Sequence, residues 1–265
     1  SHMRVHCTDM ERVKALCDQY GLRLIEDCAH TLGSRWAGRQ IGSFGDVACY
    51  SSQTFKHLNS GEGGLLVTDD AQIAVRVTLM SGSYMLYGQN GARPALEDFE
   101  ALRDHVPNFS MRMSNLAAAL LRPQLAKLDD WKVKWAESYA LLEDGLKGID
   151  GVEIIPRPDA EDFVASSIQF HVTGLTRQEI ANFVADAKVH GVFLKWFGAA
   201  RTEGFTSRFD QWGYAPTDAP LPITHAALSG LMDMRIPLSL KPADCDCIIQ
   251  VLDQSMAETC RVDRG

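Results

Sequence analysis

Residues 24–70, LIEDCAHTLGSRWAGRQIGSFGDVACYSSQTFKHLNSGEGGLLVTDD, decide how the chain folds. LRLIED (22–27) reads as a short buried strand that ends on two acids, and DVACYSS (46–52) and GLLVTDD (64–70) as two further short apolar strands. Ahead of them, DMERVKALCDQYG (9–21) has apolar residues at helical spacing and a glycine where a helix would stop. Behind them, AQIAVRVTLMSG (71–82) has a helix pattern capped by Asp69 or Asp70. Helices alternating with short strands predict an α/β domain with a mostly parallel sheet covered by helices.

Further on, residues 113–146 read as helical, rich in Leu, Ala and Trp and interrupted near Pro123, long enough to link two domains. GVEIIP (151–156), ASSIQFHV (165–172), VFLKWF (192–197) and MRIPLSL (234–240) read as strands. TRQEIANFVADAKVHG (176–191) and PADCDCIIQVLDQSM (242–256) read as helices. The second half is therefore a smaller α+β domain, and the expected division is 1–148 and 149–265. Residues 198–222 form one long irregular loop, and long loops in compact domains tend to be functional.

Composition limits the function classes. The chain has 265 residues, 46% hydrophobic and 23% charged, enough for one or two domains with a substantial core. No apolar run reaches bilayer-spanning length, and we expect no membrane partner. A net charge of -8 without any Lys/Arg run argues against a nucleic-acid surface. Seven cysteines, several inside apolar patterns, read as reduced thiols of a cytoplasmic protein. Cys245 and Cys247 are too close for an ordinary bridge and lack a second pair at zinc-finger spacing. GEGGLL lacks the third glycine of a dinucleotide fingerprint, and neither a phosphate-binding G-x-x-x-x-G-K-[ST] nor a G-x-S-x-G precedes a helix. His30, three residues after Asp27, has no third ligand in view, so no metal is expected.

One lysine, Lys56, stands in residues 24–70, between short hydroxyl and amide residues and Gly61, Gly63 and Gly64. Alone, such a lysine reads as a solvated surface charge. Asp27 and Ser51 change that reading. Each lies at the end of a predicted strand, where open α/β sheets bring side chains to a ligand crevice, and Lys56 follows Ser51 by five residues. Pyridoxal 5'-phosphate needs this set: an amine for its aldehyde, a carboxylate for its ring nitrogen, and hydroxyl and backbone N–H donors for its phosphate.

Residues 24–70 resemble the DegT/StrS family of fold-type-I, vitamin B6-dependent sugar aminotransferases, whose pattern runs E-D-x-A-[QH]-x-x-G, G-x-x-G-D, [FY]-S, K, then G-E-G-G. RMSNLAAALLRPQL (112–125) resembles the family's next block, so the likeness covers essentially the whole chain. It implies that Lys56 forms the Schiff base, Asp27 meets the pyridine nitrogen and Ser51 binds the phosphate. His30 falls where many members have Gln, near the phenolic oxygen; the alternative is that it packs under the strand ends. Gln53 is expected to line the phosphate or the substrate amine, while Glu62 and the glycines shape the loop. The family implies a homodimer and ping-pong transfer from a small amino donor, glutamate or glutamine, to a keto acceptor, a nucleotide-linked sugar or cyclitol. The alternatives are a dehydratase on the same scaffold and a cofactor-binding paralogue without turnover.

Two departures stand out. Where many members have G-x-N-x-R-M this chain reads PNFSMRM (107–113), so Ser110 takes the place of the asparagine that contacts the neighbouring subunit's phosphate, and Asn108 is displaced by two. The family's N-terminal part, which supplies a helix N-terminus for the phosphate and an aromatic residue for the ring, has no counterpart in these residues. His2 aligns with the family's histidine before the first helix, so SHM is read as native sequence. Lys195 and the loop residues Arg201, Arg208, Trp212 and Tyr214 either meet an anionic or ring-bearing substrate or cover the small domain.

Overall fold

The computed structural model describes residues 1–83, 86–201 and 221–262. The chain divides into two compact units, Ser1–Asp130 with Asp159–Val164, and Trp131–Pro158 with Ala165–Gly265. The division falls near the start of the long helix, eighteen residues before the expected boundary at 148/149.

The first unit opens with α1 (Met10–Tyr20), followed by β1 (Ile25–Asp27), β2 (Arg35–Trp36), β3 (Arg39–Gln40), β4 (Val47–Ser51) and β5 (Gly64–Val67). Then come α2 (Ala71–Ser81), α3 (Leu96–Leu102) and α4 (Asn115–Leu125). The second unit takes α5 (Leu128–Lys147) from Trp131 on, and β6 (Val152–Ile154). The chain returns to the first unit for β7 (Glu161–Asp162), which pairs with β2. It then completes the second unit with β8 (Ser167–Val172), α6 (Arg177–Val189), β9 (Lys195–Trp196), α7 (Pro222–Ser229), β10 (Leu231–Arg235) and α8 (Pro242–Val262).

The helix boundaries follow from local chemistry. Asp9 caps α1 by accepting the Arg12 N–H, and Gly21, at φ 61°, ends it in the left-handed conformation. Of the two candidate caps for α2 it is Asp70 whose carboxylate accepts the Gln72 and Ile73 N–H groups. The break expected near Pro123 falls at residues 126–127: Pro123 lies inside α4, and the helix ends at Leu125.

The main sheet of the first unit has the order β1-β4-β5. β1 and β4 are parallel, with Asp27 opposite Cys49, whereas β4 and β5 are antiparallel, with Ser51 opposite Gly64. The sheet is thus mixed rather than mostly parallel. The reason is the connection: residues 52–63 form a loop without a crossover helix, and a chain that turns back directly must pair antiparallel. Alternation along the strands puts Glu26, Ala48 and Tyr50 on one face and Asp27, Cys49 and Ser51 on the other. The first face buries Ala48 and Tyr50 with Met10, Cys28, Trp36, Ile41 and Phe44. A second cluster, Val75, Leu79 and Phe99, joins α2 to α3, with Tyr87 stacked on Phe99 at 4.2 Å.

The second unit is an antiparallel sheet, β6-β8-β10-β9, with α6 and α8 packed together. Ile168, Phe170 and Val172 alternate into its core with Met232 and Met234 from β10. The predicted strand 234–240 lies earlier, at Leu231–Arg235, because Pro237 has no N–H to continue the ladder. Of 192–197 only Lys195–Trp196 pairs as strand.

Candidate active site

Two adjacent acids of β1 face opposite ways. Asp27 closes the strand on the face it shares with Cys49 and Ser51, at the carboxyl ends of the parallel pair β1/β4. Ser1 Oγ donates to Asp27 Oδ2 (2.8 Å) and the Ala29 N–H to Oδ1 (3.1 Å). Burial by itself would raise the pKa of Asp27. The two hydrogen bonds and the charge of His30 help to outweigh it and hold the carboxyl below its usual range. Beside it, burial and the Asp27 charge push the Cys49 thiol up.

Lys56 hangs from the β4–β5 loop, which its own backbone holds in shape. Ser52 N–H donates to Gly63 O (2.9 Å), Thr54 N–H to Gly61 O (2.8 Å) and Lys56 N–H to Gln53 O (2.9 Å). Gly63 is required here: at φ 149° any side chain is strained, and a Cβ would sit 2.6 Å from Ser52 Oγ. The Lys56 amine, half-buried, stands 3.0 Å from His30 Nε2. Lys56 and His30 are thus in contact, Asp27 lies near enough to feel the charge of His30, and Ser51 is on the same face of the sheet as Asp27.

Ser51 Oγ accepts the Gln53 N–H (3.2 Å), and Gln53 Oε1 accepts the Phe55 N–H (2.9 Å), so the carboxamide oxygen is committed to the loop. Ser110 is held against the end of α2. Phe109 N–H donates to Met80 O (2.8 Å), Arg112 N–H to Ser81 O (2.9 Å), and Ser110, at φ 53°, donates its N–H to Asn108 Oδ1 (2.8 Å). Of the residues considered for the substrate, Arg208, Trp212 and Tyr214 lie outside the described residues. Lys195 stands opposite Asp233 in the β9/β10 register, its ammonium 5.2 Å from the Phe197 ring centroid.

The sequence reading passed over Glu26. Its carboxylate is buried on the core face, where Oε1 accepts the Phe44 (2.7 Å) and Gly45 (2.6 Å) N–H groups and Oε2 that of Gly42 (2.8 Å). Burial would raise its pKa, but His2 and the three backbone donors lower it below the ordinary value. His2 is buried too: Nδ1 accepts the Thr8 N–H (3.2 Å), which leaves the neutral ring's proton on Nε2, 3.9 Å from Glu26 Oε2. The signal was available in the strand alternation, which sends Glu26 to the face opposite Asp27. His2, Glu26 and Cys28 bring their ligating atoms within 4.8 Å of one another. They read as a hydrogen-bonded lock, since both Glu26 oxygens are already taken and burial with the Glu26 charge pushes the Cys28 thiol up to about 12.

An amine, an ionised carboxylate, an imidazole and a hydroxyl gathered at the strand ends fit the aldehyde, ring nitrogen, phenolic oxygen and phosphate of pyridoxal 5'-phosphate. The architecture is that of the fold-type-I aminotransferases. The chain superposes on the aminotransferase TlmJ from Streptoalloteichus hindustanus with a TM-score of 0.78 and 20% identity, covering 98% of this chain and 65% of that one. The model of the DegT/DnrJ/EryC1/StrS aminotransferase family matches residues 1–253, and the chain belongs to that family. It is 30% identical over 162 residues, 60% of this chain and 39% of the relative, to dTDP-3-amino-3,4,6-trideoxy-alpha-D-glucose transaminase of Streptomyces venezuelae. It is 33% identical over 146 residues, 55% of this chain and 34% of the relative, to L-glutamine:2-deoxy-scyllo-inosose aminotransferase of Micromonospora echinospora. The chain spans 39% of the length of each of the first two curated relatives it matches. Among the described residues no helix is long and apolar enough to cross a membrane.

Proposed function

We propose that the protein is a pyridoxal 5'-phosphate-dependent aminotransferase that moves an amino group from glutamate or glutamine to a keto group of a nucleotide-linked sugar or a cyclitol. The observation that carries the reading is the Asp27–His30–Lys56 group, with Lys56 Nζ 3.0 Å from His30 Nε2. Similarity to transaminases acting on a dTDP-sugar and on a scyllo-inosose supports the acceptor class.

Bound at the strand ends, the cofactor supplies an aldehyde for the lysine and a protonated ring that draws electrons from the bond being broken. In this reading Lys56 Nζ would hold the cofactor at its aldehyde carbon and would be the base that takes the proton from the donor's α-carbon. Asp27, held ionised, keeps the ring nitrogen protonated. Ser51 donates its hydroxyl to the phosphate, and His30 faces the phenolic oxygen. Gln53 contributes its amide nitrogen. Ser110 reaches the phosphate of a second subunit in a cytoplasmic homodimer.

The test is to incubate the purified protein with amine-labelled glutamate and a panel of keto sugars and cyclitols. Transfer of the label to a keto acceptor is expected. Loss of water from the substrate without label transfer would instead identify a dehydratase, and no turnover with any donor a paralogue that only binds the cofactor.

A further inference from the structure

Three residues beyond Lys56, the β4–β5 loop is gripped by a helix. Gln124, on the last turn of α4, meets the backbone of Asn59 with both ends of its carboxamide. Its Oε1 accepts the Asn59 N–H (2.9 Å) and its Nε2 donates to Asn59 O (2.7 Å). The second hydrogen of Nε2 goes to Leu120 O (2.8 Å), one turn back in the same helix. Turned over, the carboxamide would set its oxygen against two carbonyl oxygens and its NH2 against an N–H, so the network itself fixes which end is which. A carboxylate in this place would keep the Asn59 N–H and lose both donors.

The loop's other hydrogen bonds are largely internal. Ser52 pairs with Gly63 and Thr54 with Gly61 through the backbone, the Ser52 and Ser60 hydroxyls meet at 2.8 Å, and Asn59 Oδ1 accepts the Gly61 N–H (2.8 Å). These bonds join the two limbs of the loop to each other rather than its tip to the rest of the unit. Leu58, 2% exposed, sets how deep the tip sits, but burial of an apolar side chain is non-directional. Hydrogen bonds are directional, and a pair of them to the N–H and C=O of one residue fixes its rotation as well as its position.

We propose that Gln124 is a positioning residue for Lys56: by holding Asn59 in one orientation on α4, it keeps the lysine amine at the strand ends. The inference rests on the reading of Lys56 as the attachment point. Asn59 lies within about 11 Å of Lys56 along even a fully extended chain, so a tip that shifts at Asn59 carries Lys56 with it. A misplacement of about 1 Å is enough to cost a reaction much of its rate. The helix is a firm base for the contact, since Ser114 caps it by accepting the Ala117 N–H (3.1 Å) and Leu121 is buried.

Gln124→Met and Gln124→Glu test this, because both keep the length of a half-buried helical side chain. Gln124→Met loses all three bonds, and Gln124→Glu loses the two donors. The first measurement is amide hydrogen exchange of the cofactor-free protein. The Asn59 N–H should exchange about 10-fold faster in Gln124→Met, the factor that one net hydrogen bond supplies, while the amides of α2 keep their wild-type rates. The second is the rate of pyridoxal phosphate capture, with borohydride trapping to locate the adduct, followed by steady-state transfer from glutamate. In both variants capture at Lys56 and kcat should fall about 10-fold or more with the KM for glutamate unchanged. Wild-type capture and kcat in both variants, whether or not their melting temperature falls, would overturn the proposal, as would unchanged exchange at Asn59. An adduct on another lysine in the wild type would overturn the attachment reading and leave the exchange result standing, so the two failures are distinguishable.

Discussion

Glu26 and Asp27 are consecutive in β1 and their carboxylates serve opposite sides of the sheet. Glu26 is enclosed in the core and takes three backbone N–H groups from the loop 42–45, while Asp27 opens onto the strand ends beside His30. One strand thereby anchors the 42–45 loop through Glu26 and presents Asp27, the acid of the proposed site, on the other face.

Glu26→Gln replaces an acceptor by an amide that cannot satisfy all three donors, and should cost about 1–3 kcal/mol of stability at pH 7. The acid limb follows from the direction of the shift. The folded pKa of Glu26 lies below the ordinary 4.5, so its contribution is fully present above 4.5 and is lost as pH falls through the folded value. Urea unfolding at pH 7 and pH 4 should show a smaller pH dependence in the variant than in the wild type. Equal dependence would mean that Glu26 is not the titrating lock.

Gly42 has φ 93°, and a Cβ there would stand 1.9 Å from Tyr50 Oη, which donates to Ile41 O at 2.7 Å. Gly42→Ala must strain the backbone, at about 1–3 kcal/mol, and displace the Tyr50 hydroxyl as well. Thermal unfolding should register the loss, and a variant as stable as the wild type would contradict the geometry.

Asp27→Ala should leave the fold and the borohydride-trapped adduct at Lys56 intact while slowing the release of 2-oxoglutarate from glutamate by at least about 100-fold. The reason is that the ring loses its electron-withdrawing charge but not its attachment. Near-normal release would remove Asp27 from the ring nitrogen.

Light scattering should give twice the chain mass. Phe109 and Met111, 55% and 68% exposed, flank Ser110 in the segment proposed to reach the second subunit. A Phe109→Asp, Met111→Asp variant should therefore sediment as a monomer with weakened cofactor binding. A wild-type monomer that still transaminates would refute the homodimer.

The elements legible in the sequence were those whose ends carry their own chemistry: Asp9 and Gly21 on α1, Asp70 and Gly82 on α2, the capping box of Thr176 and Glu179 on α6. Asp27, Ser51 and Lys56, the residues proposed for the site, stand out in the sequence because open α/β sheets hold ligands at strand ends and a glycine-rich loop follows. Strand direction was not, since whether β5 runs with or against β4 depends on the path of residues 52–63 rather than on the apolar pattern of either strand. Nor was the role of Gln53, whose carboxamide oxygen is bound two residues along its own loop, a choice that no spacing reveals.

The most direct test of the central claim is chemical. The purified protein is loaded with pyridoxal phosphate, reduced with borohydride, digested and mapped by mass spectrometry. The account predicts a pyridoxyl adduct on the peptide that contains Lys56, abolished in Lys56→Ala. An adduct confined to any other lysine, or one that survives in Lys56→Ala, would contradict it.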